Sequence, residues 1–233
     1  MKSLFHPYIT LHGDFVEGIK IKKEMVGMRE PIEEKFLSLI PLKGKIVYDI
    51  GAYTGKYTVA FARRAEFVYA FEPNRLSFEE LNKTLSRNGC FNVSALNICL
   101  GNAPAEKTLI IPPSAGCATI DEGIAAGFGN TFTQKVLIKR LDDLDIDAPD
   151  FIKIDVEGSE LAVLQGAEKL LEKKPELYIE LHGNGPAGKL KNIRAVVNFL
   201  KKWEYALYAV EKETGINTIN YADARFSHLF CYA

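Results

Sequence analysis

The sequence has no long apolar run, no leader-like N-terminus and almost no net charge. No stretch approaches the roughly 20 apolar residues that a membrane span requires. Residues 1–18 lack a long apolar core followed by small residues, which argues against a secretory signal. The 29 Lys and Arg residues and 30 Asp and Glu residues give a net charge of −1, which argues against a general nucleic-acid binder. We therefore expect no membrane partner, and nucleic acid is a disfavoured partner.

Cysteine is scarce, and its spacing excludes the common cysteine sites. The four cysteines are Cys90, Cys99, Cys117 and Cys231, and no pair has the C-x-x-C spacing of zinc sites or thioredoxin-like redox sites. Lone cysteines with mostly apolar neighbours suit a reducing compartment. The sequence therefore predicts a cytoplasmic protein.

The sequence does contain an alternation of short apolar segments with segments of helical length. The predicted strands are residues 45–50, 66–71, 92–100, 150–155 and 176–182, followed by two late strands within 204–210 and 225–232. The predicted helices are residues 31–40, 56–65, 75–87, 157–174 and 188–202. This alternation predicts an α/β fold with a parallel sheet and right-handed crossover connections.

The alternation stops between residues 101 and 147, where prolines and glycines surround two short β-like segments. A long glycine-rich insertion is commonly a lid or a substrate loop. We expect residues 112–130 to shape a ligand pocket together with the first 30 residues, which are predicted as an irregular or hairpin extension. The predicted organisation is one domain over residues 1–233, with an N-terminal extension and helix in 1–40 and a core in 41–233.

The segment KIVYDIGAYTG runs from a predicted strand into a turn between Gly51 and Gly55. Parallel-sheet proteins bind ligands at the carboxyl ends of their strands, near the point where strand order reverses. The glycines allow the chain to approach a ligand closely. Glu72 ends the next predicted strand, where a carboxylate can accept hydrogen bonds from both ribose hydroxyls. The pattern predicts a bound nucleoside, and the alternative is a simple turn beside a surface acid.

The middle of this turn distinguishes between nucleosides. Nicotinamide dehydrogenases use G-x-G-x-x-G, in which the middle glycine admits the pyrophosphate. Here that position is Tyr53, whose side chain obstructs a diphosphate. S-adenosylmethionine has no phosphate, and Asp49 can orient its charged amino-acid tail directly or through water. The turn therefore favours S-adenosylmethionine over a dinucleotide.

With these residues in place, the sequence resembles the FkbM family of S-adenosylmethionine-dependent methyltransferases. The matching segments are VYDIGAYTGKYT, AFEPN, the helix ending RNG, LNICLGN, LDDL, DFIKIDVEGSELAVLQGA and PELYIELH, which occur in family order within residues 46–183. One departure is Tyr53, where the family commonly has Asn. The resemblance implies a Rossmann-like, seven-stranded, mostly parallel sheet with helices on both faces and a final antiparallel hairpin.

The resemblance also implies how the cofactor is held. Asp49 and the glycine turn would bind S-adenosylmethionine, and Glu72 would bind its ribose. Asn74 or Asn97 would lie at the edge of the adenine, although Asn97 can equally be an ordinary polar residue at a strand end. The predicted cofactor-binding set is Asp49, Gly51, Ala52, Tyr53, Thr54, Gly55, Glu72, Pro73, Asn74, Asn97 and Asp155.

Four polar side chains stand at the ends of the fourth and fifth predicted strands, where such folds place the methyl group. Asp155 and Glu157 follow one strand, and Glu180 and His182 share one side of the other, because side chains alternate along a strand. A histidine or carboxylate there can act as general base for a hydroxyl. The same four groups could instead hold a divalent cation, although we expect no metal.

Two further alternatives stay open for these four residues. Positioning alone can drive transfer from an activated methyl donor, because aligned reactants gain a large effective molarity. Structural roles are the other alternative, for example an acid favoured by a helix N-terminus at Glu157.

The sequence thus predicts an S-adenosylmethionine-dependent methyltransferase that acts on a hydroxyl of a small molecule or a sugar. An RNA methyltransferase is one alternative, disfavoured because the chain is not basic and lacks an Asn-Pro-Pro-Tyr-like motif after the fourth strand. A nucleotide-binding module without catalysis is the other, and a dehydrogenase is disfavoured by Tyr53.

Overall fold

The structure, a computed structural model, describes residues 8–10, 20–22, 31–113, 117–211, 215–218 and 227–232, and its central feature is an eight-stranded sheet. The strands are β1 (Tyr8–Thr10), β2 (Lys20–Lys22), β3 (Ile46–Ile50), β4 (Phe67–Phe71), β5 (Val93–Leu96), β6 (Cys99–Leu100), β7 (Ala105–Ile111), β8 (Phe132–Lys139), β9 (Phe151–Ile154), β10 (Glu176–Glu180), β11 (Ala206–Glu211), β12 (Gly215–Thr218) and β13 (His228–Tyr232). The helices are α1 (Pro31–Leu39), α2 (Lys56–Ala62), α3 (Arg75–Arg87), α4 (Glu122–Ala125), α5 (Glu160–Gln165), α6 (Glu168–Leu171) and α7 (Gly185–Lys202).

The strand order of the central sheet is β12-β11-β13-β10-β9-β3-β4-β5. The five strands from β10 to β5 are parallel, whereas β13 lies between β10 and β11 and is antiparallel to both. The predicted α/β fold, with a mostly parallel seven-stranded sheet and a final antiparallel hairpin, is confirmed. β12 adds an eighth strand at the edge by pairing with β11.

Helices cover both faces of this sheet because successive side chains of its strands point to opposite sides. On one face, Val47 of β3 belongs to the same buried cluster as Leu81 of α3. On the other face, the next residue, Tyr48, belongs to the same buried cluster as Val196 of α7. Burying each such side chain stabilises the fold by roughly 1.5–3 kcal/mol. With both faces covered, the loops at the carboxyl ends of the parallel strands are the open place for a ligand.

The predicted strand over residues 92–100 is wrong as a single strand. β5 ends at Leu96, and Cys99–Leu100 forms β6, which joins a separate three-stranded sheet of order β6-β8-β7. Asn97 lies at the break, where its Nδ2 donates hydrogen bonds to the carbonyl oxygens of Glu72 (2.7 Å) and Pro73 (3.0 Å). These bonds turn the chain away from the central sheet, so the 101–147 insertion begins on a sheet of its own.

The predicted helix over residues 157–174 is also wrong as a single helix. It begins only at Glu160, because Glu157 (φ 52°) and Gly158 (φ 101°) adopt left-handed backbone conformations. It breaks between α5 and α6 at Gly166, where an added Cβ would lie 2.0 Å from the Gly101 carbonyl oxygen. This close approach packs the helical segment against the start of the insertion.

The N-terminal segment is described only in part. Strands β1 and β2 pair antiparallel, as the hairpin alternative predicts, and the rest of residues 1–30 lies outside the described residues. The assignment of residues 1–233 to one domain stays a prediction. None of the helices in the described ranges is both long and apolar enough to span a membrane.

Candidate active site

A cavity of about 450 Å³ opens at the carboxyl ends of β3, β4, β9 and β10. Its lining includes Gly51, Ala52, Tyr53 and Thr54 of the glycine turn. Cys117, Ala118 and Ile120 of the insertion line it as well, as expected for part of the 112–130 segment. This volume lies within the range of small-molecule sites, which is roughly 300–1,000 Å³.

The turn after β3 is held tightly against the neighbouring strands. The backbone N–H groups of Gly51 and Ala52 both donate to the Phe71 carbonyl oxygen, at 3.0 Å each. Gly51 has φ 83°, and an added Cβ would lie 1.7 Å from the Asp155 carbonyl oxygen. Only glycine fits this crossing. Gly55 (φ 90°) caps α2 and is absent from the cavity lining.

Glu72 is buried at the edge of the cavity and fastens the turn. Its Oε2 accepts a hydrogen bond from the Tyr53 N–H and its Oε1 accepts one from the Asn74 N–H, both at 2.8 Å. The residue is 6% exposed, so it is not a surface acid. Burial raises the pKa of its carboxyl group to about 7, although the two backbone hydrogen bonds lower it. Each oxygen retains a lone pair that a ribose hydroxyl can reach.

Three other residues of the predicted cofactor set do not line the cavity. Asp49 is buried, and its Oδ2 accepts a 2.6 Å hydrogen bond from the Thr58 hydroxyl. Asn74 caps α3 by accepting a hydrogen bond from the Leu76 N–H, and Asn97 ties the chain at the end of β5. The structure thus gives these three residues local structural contacts, and their roles toward a cofactor stay predictions. Pro73 does line the cavity.

The four predicted catalytic side chains come together at the ends of β9 and β10. Measured from the His182 Nε2 atom, the nearest carboxylate oxygens of Glu180, Glu157 and Asp155 lie at 3.4, 3.6 and 3.9 Å. All four residues line the cavity. Since the Asp155 backbone also abuts Gly51, this cluster adjoins the glycine turn. We call Asp155, Glu157, Glu180 and His182 the strand-end cluster.

Glu160 fixes the orientation of the imidazole, a role that the sequence analysis did not assign. This carboxylate is fully buried. Its Oε1 lies 2.9 Å from His182 Nδ1 and accepts a 3.0 Å bond from the Gly158 N–H, and its Oε2 accepts a 2.7 Å bond from Asn192. The available signal was an acid three residues after Glu157 in the first turn of a helix.

The surrounding carboxylates raise the pKa of His182 well above its ordinary range. Burial lowers that pKa, but the hydrogen bonds to Glu160 and Glu180 and the charges of Asp155 and Glu157 outweigh burial. Burial raises the pKa of Glu157 to about 7. An imidazole that keeps its proton at neutral pH cannot serve there as a general base. The arrangement therefore favours a positive charge at this position over a free base.

Lys153 and Glu33 form a buried ion pair beside the strand-end cluster, and neither residue was predicted to belong to the site. Lys153 is 1% exposed, and its Nζ lies 2.9 Å from Asp155 Oδ2 and 3.6 Å from Glu33 Oε1. Burial lowers the pKa of the lysine, but the charges of Asp155, Glu33 and Asp49 outweigh burial, so that the pKa lies above its ordinary value. Glu33 comes from α1, so the first helix contributes to the cavity. A lysine within an apolar strand was the available signal.

The insertion holds the turn that carries Glu157. The Thr119 hydroxyl donates a 2.7 Å hydrogen bond to the Glu157 carbonyl oxygen. Ile124 of α4 packs so closely that an added Cβ on Gly158 would lie 2.2 Å from its Cδ1 atom. The insertion therefore both covers the cavity and supports its acidic side.

Comparison with known proteins identifies relatives of this chain. The sequence profile of the family described as "Methyltransferase FkbM domain" matches residues 49–207. The hexuronic acid methyltransferase AglP of Haloferax volcanii is 23% identical over 137 residues, which are 59% of this chain and 56% of AglP.

Solved structures share the fold. The methyltransferase FkbM of Methylobacillus flagellatus superposes with a TM-score of 0.56 at 22% identity, over 83% of this chain and 45% of that one. The Streptococcus mutans protein SMU.1697c, solved in complex with SAH, gives a TM-score of 0.51 at 17% identity, over 88% and 99% of the two chains. The chain thus spans about half the length of AglP and of the Methylobacillus protein.

Proposed function

Because the chain belongs to the FkbM methyltransferase family, we propose that it is an S-adenosylmethionine-dependent enzyme that methylates a hydroxyl oxygen of a small molecule or a sugar. The observation that carries this proposal is the strand-end cluster, which shares one cavity with the glycine turn. A hydroxyl-bearing acceptor can hydrogen-bond these side chains while facing a cofactor on the turn. The sugar acceptor of AglP supports this acceptor class.

The cofactor lies across the carboxyl ends of β3 and β4 in this proposal. The turn from Gly51 to Thr54 contacts its methionine end, and Glu72 accepts hydrogen bonds from the ribose hydroxyls. Phe71, Ile98 and Leu100 supply apolar surface in the same cavity for the adenine. Asp155, whose backbone adjoins Gly51, links the strand-end cluster to the turn that would hold the cofactor.

The transfer itself is a substitution at the methyl carbon. The acceptor oxygen attacks that carbon, the carbon–sulfur bond breaks, and the sulfur keeps the electron pair. The products are a methyl ether and S-adenosylhomocysteine, and the hydroxyl proton passes to a carboxylate of the strand-end cluster. Alignment of the two reactants supplies a large part of the rate, since effective molarities of well-oriented groups reach about 10⁵–10⁸ M.

The charge of the cavity disfavours RNA as the acceptor. Five acidic residues line it, namely Glu33, Glu72, Asp155, Glu157 and Glu180, against the two lysines Lys56 and Lys153. A polyanion gains its affinity from clustered Lys and Arg, which the near-neutral chain does not supply in excess. We therefore propose an acceptor without a phosphate backbone. The cytoplasmic location stays a prediction.

The test is release of S-adenosylhomocysteine with a panel of acceptors. The panel holds neutral glycosides, hexuronosides, small phenolic diols and a structured RNA, and mass spectrometry and NMR locate the added methyl group. We expect release with a hydroxyl acceptor and an O-methyl product. His182→Ala should lower turnover by roughly 10²–10³-fold, the range for loss of one preorganised electrostatic group at the reacting centre, with S-adenosylhomocysteine affinity nearly unchanged.

Two outcomes contradict the proposal. Methylation of a base nitrogen or carbon in the RNA would support the RNA methyltransferase alternative. Tight binding of S-adenosylhomocysteine without turnover on any member of the panel would support a non-catalytic module.

A further inference from the structure

We propose that Asp155, Glu157 and His182 bind a divalent first-row transition-metal ion that holds the acceptor hydroxyl, an inference that rests on the proposed methyl transfer. One ligand atom from each residue lies within 4.8 Å of those of the other two. An ion about 2.0–2.2 Å from each ligand atom places neighbouring ligands about 3 Å apart and opposite ones about 4 Å apart. Small side-chain rotations therefore suffice to close the site.

The second observation is the hydrogen bond behind the imidazole. A histidine that binds a metal usually donates its other ring N–H to a carboxylate, which fixes its tautomer and orientation. Buried Glu160 makes this contact with His182 Nδ1 at 2.9 Å. The Nε2 lone pair of the neutral ring then points at carboxylate oxygens. A proton or a metal ion must lie between them.

The third observation is a surplus of negative charge beside the three ligands. Glu180 lies 3.4 Å from Nε2. Glu33 lines the same cavity and is 1% exposed, and its Oε1 atom accepts no hydrogen bond from the described part of the chain. Lys153 is the buried cation closest to both Asp155 and Glu33. A divalent cation would balance this charge better than the single proton of an imidazolium.

The ligand set indicates the class of metal. Two carboxylates and one imidazole suit ions such as Mn²⁺, Fe²⁺ or Zn²⁺, since imidazole favours transition metals over Mg²⁺ and Ca²⁺. Three protein ligands leave coordination positions that face the cavity, as catalytic sites require. An acceptor hydroxyl bound there has a lowered pKa, which increases its reactivity toward the sulfonium methyl group.

The test titrates Mn²⁺ into the metal-stripped protein and follows binding by electron paramagnetic resonance. We expect one saturable ion per chain. Asp155→Asn and His182→Ala should each weaken Mn²⁺ binding by at least about tenfold, and Glu160→Gln by roughly 10–100-fold through loss of the contact behind the imidazole. The matched control, Glu168→Gln, changes an exposed acid at the start of α6 and should leave the affinity unchanged. Circular dichroism establishes that each variant is folded.

Three outcomes overturn the inference: the absence of saturable Mn²⁺ binding, equal Mn²⁺ affinity in all folded variants, and full methyl transfer by the protein in chelator. The last outcome would leave the proposed function intact. Conversely, Mn²⁺ binding that depends on the three ligands, without turnover on any acceptor, would sustain the metal site and contradict the proposed function.

Discussion

At the scale of single residues, Glu72 is a buried carboxylate that fastens the glycine turn and that we propose to bind the ribose of the cofactor. Its two oxygens already hold the Tyr53 and Asn74 N–H groups, so it shapes the turn before any ribose arrives. Glu72 also lines the cavity. Since burial raises its pKa to about 7, its charge changes within the range in which enzymes are commonly assayed.

We expect the affinity for S-adenosylhomocysteine to rise with pH up to about 7 and then to level off. Ribose hydroxyls donate to the charged carboxylate, so binding releases a proton below the pKa of Glu72, and affinity grows by at most about tenfold per pH unit. Calorimetry from pH 5.5 to 8 measures this. The carboxyl groups of Glu33 and Glu157 in the same cavity also have pKa values of about 7, so they contribute to the measured pH profile. The charges of Asp155 and Asp49 help to raise the pKa of Glu72.

The comparison with Glu72→Gln separates these groups. The Gln variant keeps an acceptor oxygen but does not titrate, so its profile should lose the part of the slope that Glu72 supplies. Identical pH profiles for the wild type and the variant would show that Glu72 does not bind the ribose.

A second prediction at this scale concerns Gly51, with Gly44 as its matched control. Gly44 has φ 73° and nothing within 4 Å of an added Cβ, so Gly44→Ala should lower the free energy of unfolding by about 1–2 kcal/mol, the cost of the left-handed conformation. Gly51→Ala adds the clash with the Asp155 carbonyl, and should cost roughly 3 kcal/mol or more, because overpacking alone costs about 1–3 kcal/mol. Denaturant titration compares the two. Equal losses in the free energy of unfolding would mean that the contact between Gly51 and the Asp155 carbonyl oxygen tolerates a Cβ atom.

At the scale of elements, the insertion packs against the turn at Glu157 and Gly158 and supports it. β7 and β8 pair over seven residue positions, and the segment that connects them places Thr119 and Ile124 against the turn at Glu157 and Gly158. Thr119 is 1% exposed, so its hydroxyl makes this bond away from solvent. The conformation of the turn therefore depends on a separate sheet.

We expect Thr119→Val to impair the acceptor side of the site selectively. The change removes the hydrogen bond to the Glu157 carbonyl and leaves that oxygen without its donor, at a cost of about 1–3 kcal/mol in the free energy of unfolding. Turnover should fall several-fold, while calorimetry should find S-adenosylhomocysteine affinity altered less than about twofold, because the hydrogen bonds of Thr119 go to Ile110, Asp121 and Glu157 rather than to the turn at Gly51 or to Glu72. The control, Thr108→Val, alters an exposed threonine of β7. Equal effects of both variants on turnover would contradict a supporting role for Thr119.

Elements that are continuous in sequence were predictable, and contacts between distant segments were not. β3, β4, β9 and β10 follow from their apolar segments, because strands buried on both faces need such sequences. The breaks after Leu96 and at Gly166 depend on hydrogen bonds and backbone contacts with other parts of the chain. No local pattern in the sequence specifies those contacts.

At the scale of the whole molecule, the candidate site has two halves with different origins. The turn and Glu72 lie close together in sequence and follow from one βαβ unit. Glu33, Lys153 and Glu160 meet the strand-end cluster only after α1, β9 and α5 have packed, and the hydrogen bond to Glu160 then helps to raise the pKa of His182. The sequence therefore predicts which residues gather at the strand ends, whereas the raised pKa of His182 follows only from the packed structure.

The position of β13 has a consequence for the newly made chain. β13 pairs with β10 along Leu177 to Glu180, and Leu181 donates a 2.7 Å hydrogen bond to the Ser227 carbonyl oxygen. While a ribosome is still translating the segment before residue 227, β10 has an open edge and the backbone leading to His182 lacks this anchor. The five parallel strands β10, β9, β3, β4 and β5 can assemble during that interval. β11 cannot reach its final place until β13 lies between β10 and β11. The strand-end cluster would then be completed late in synthesis, after the turn and Glu72 have formed.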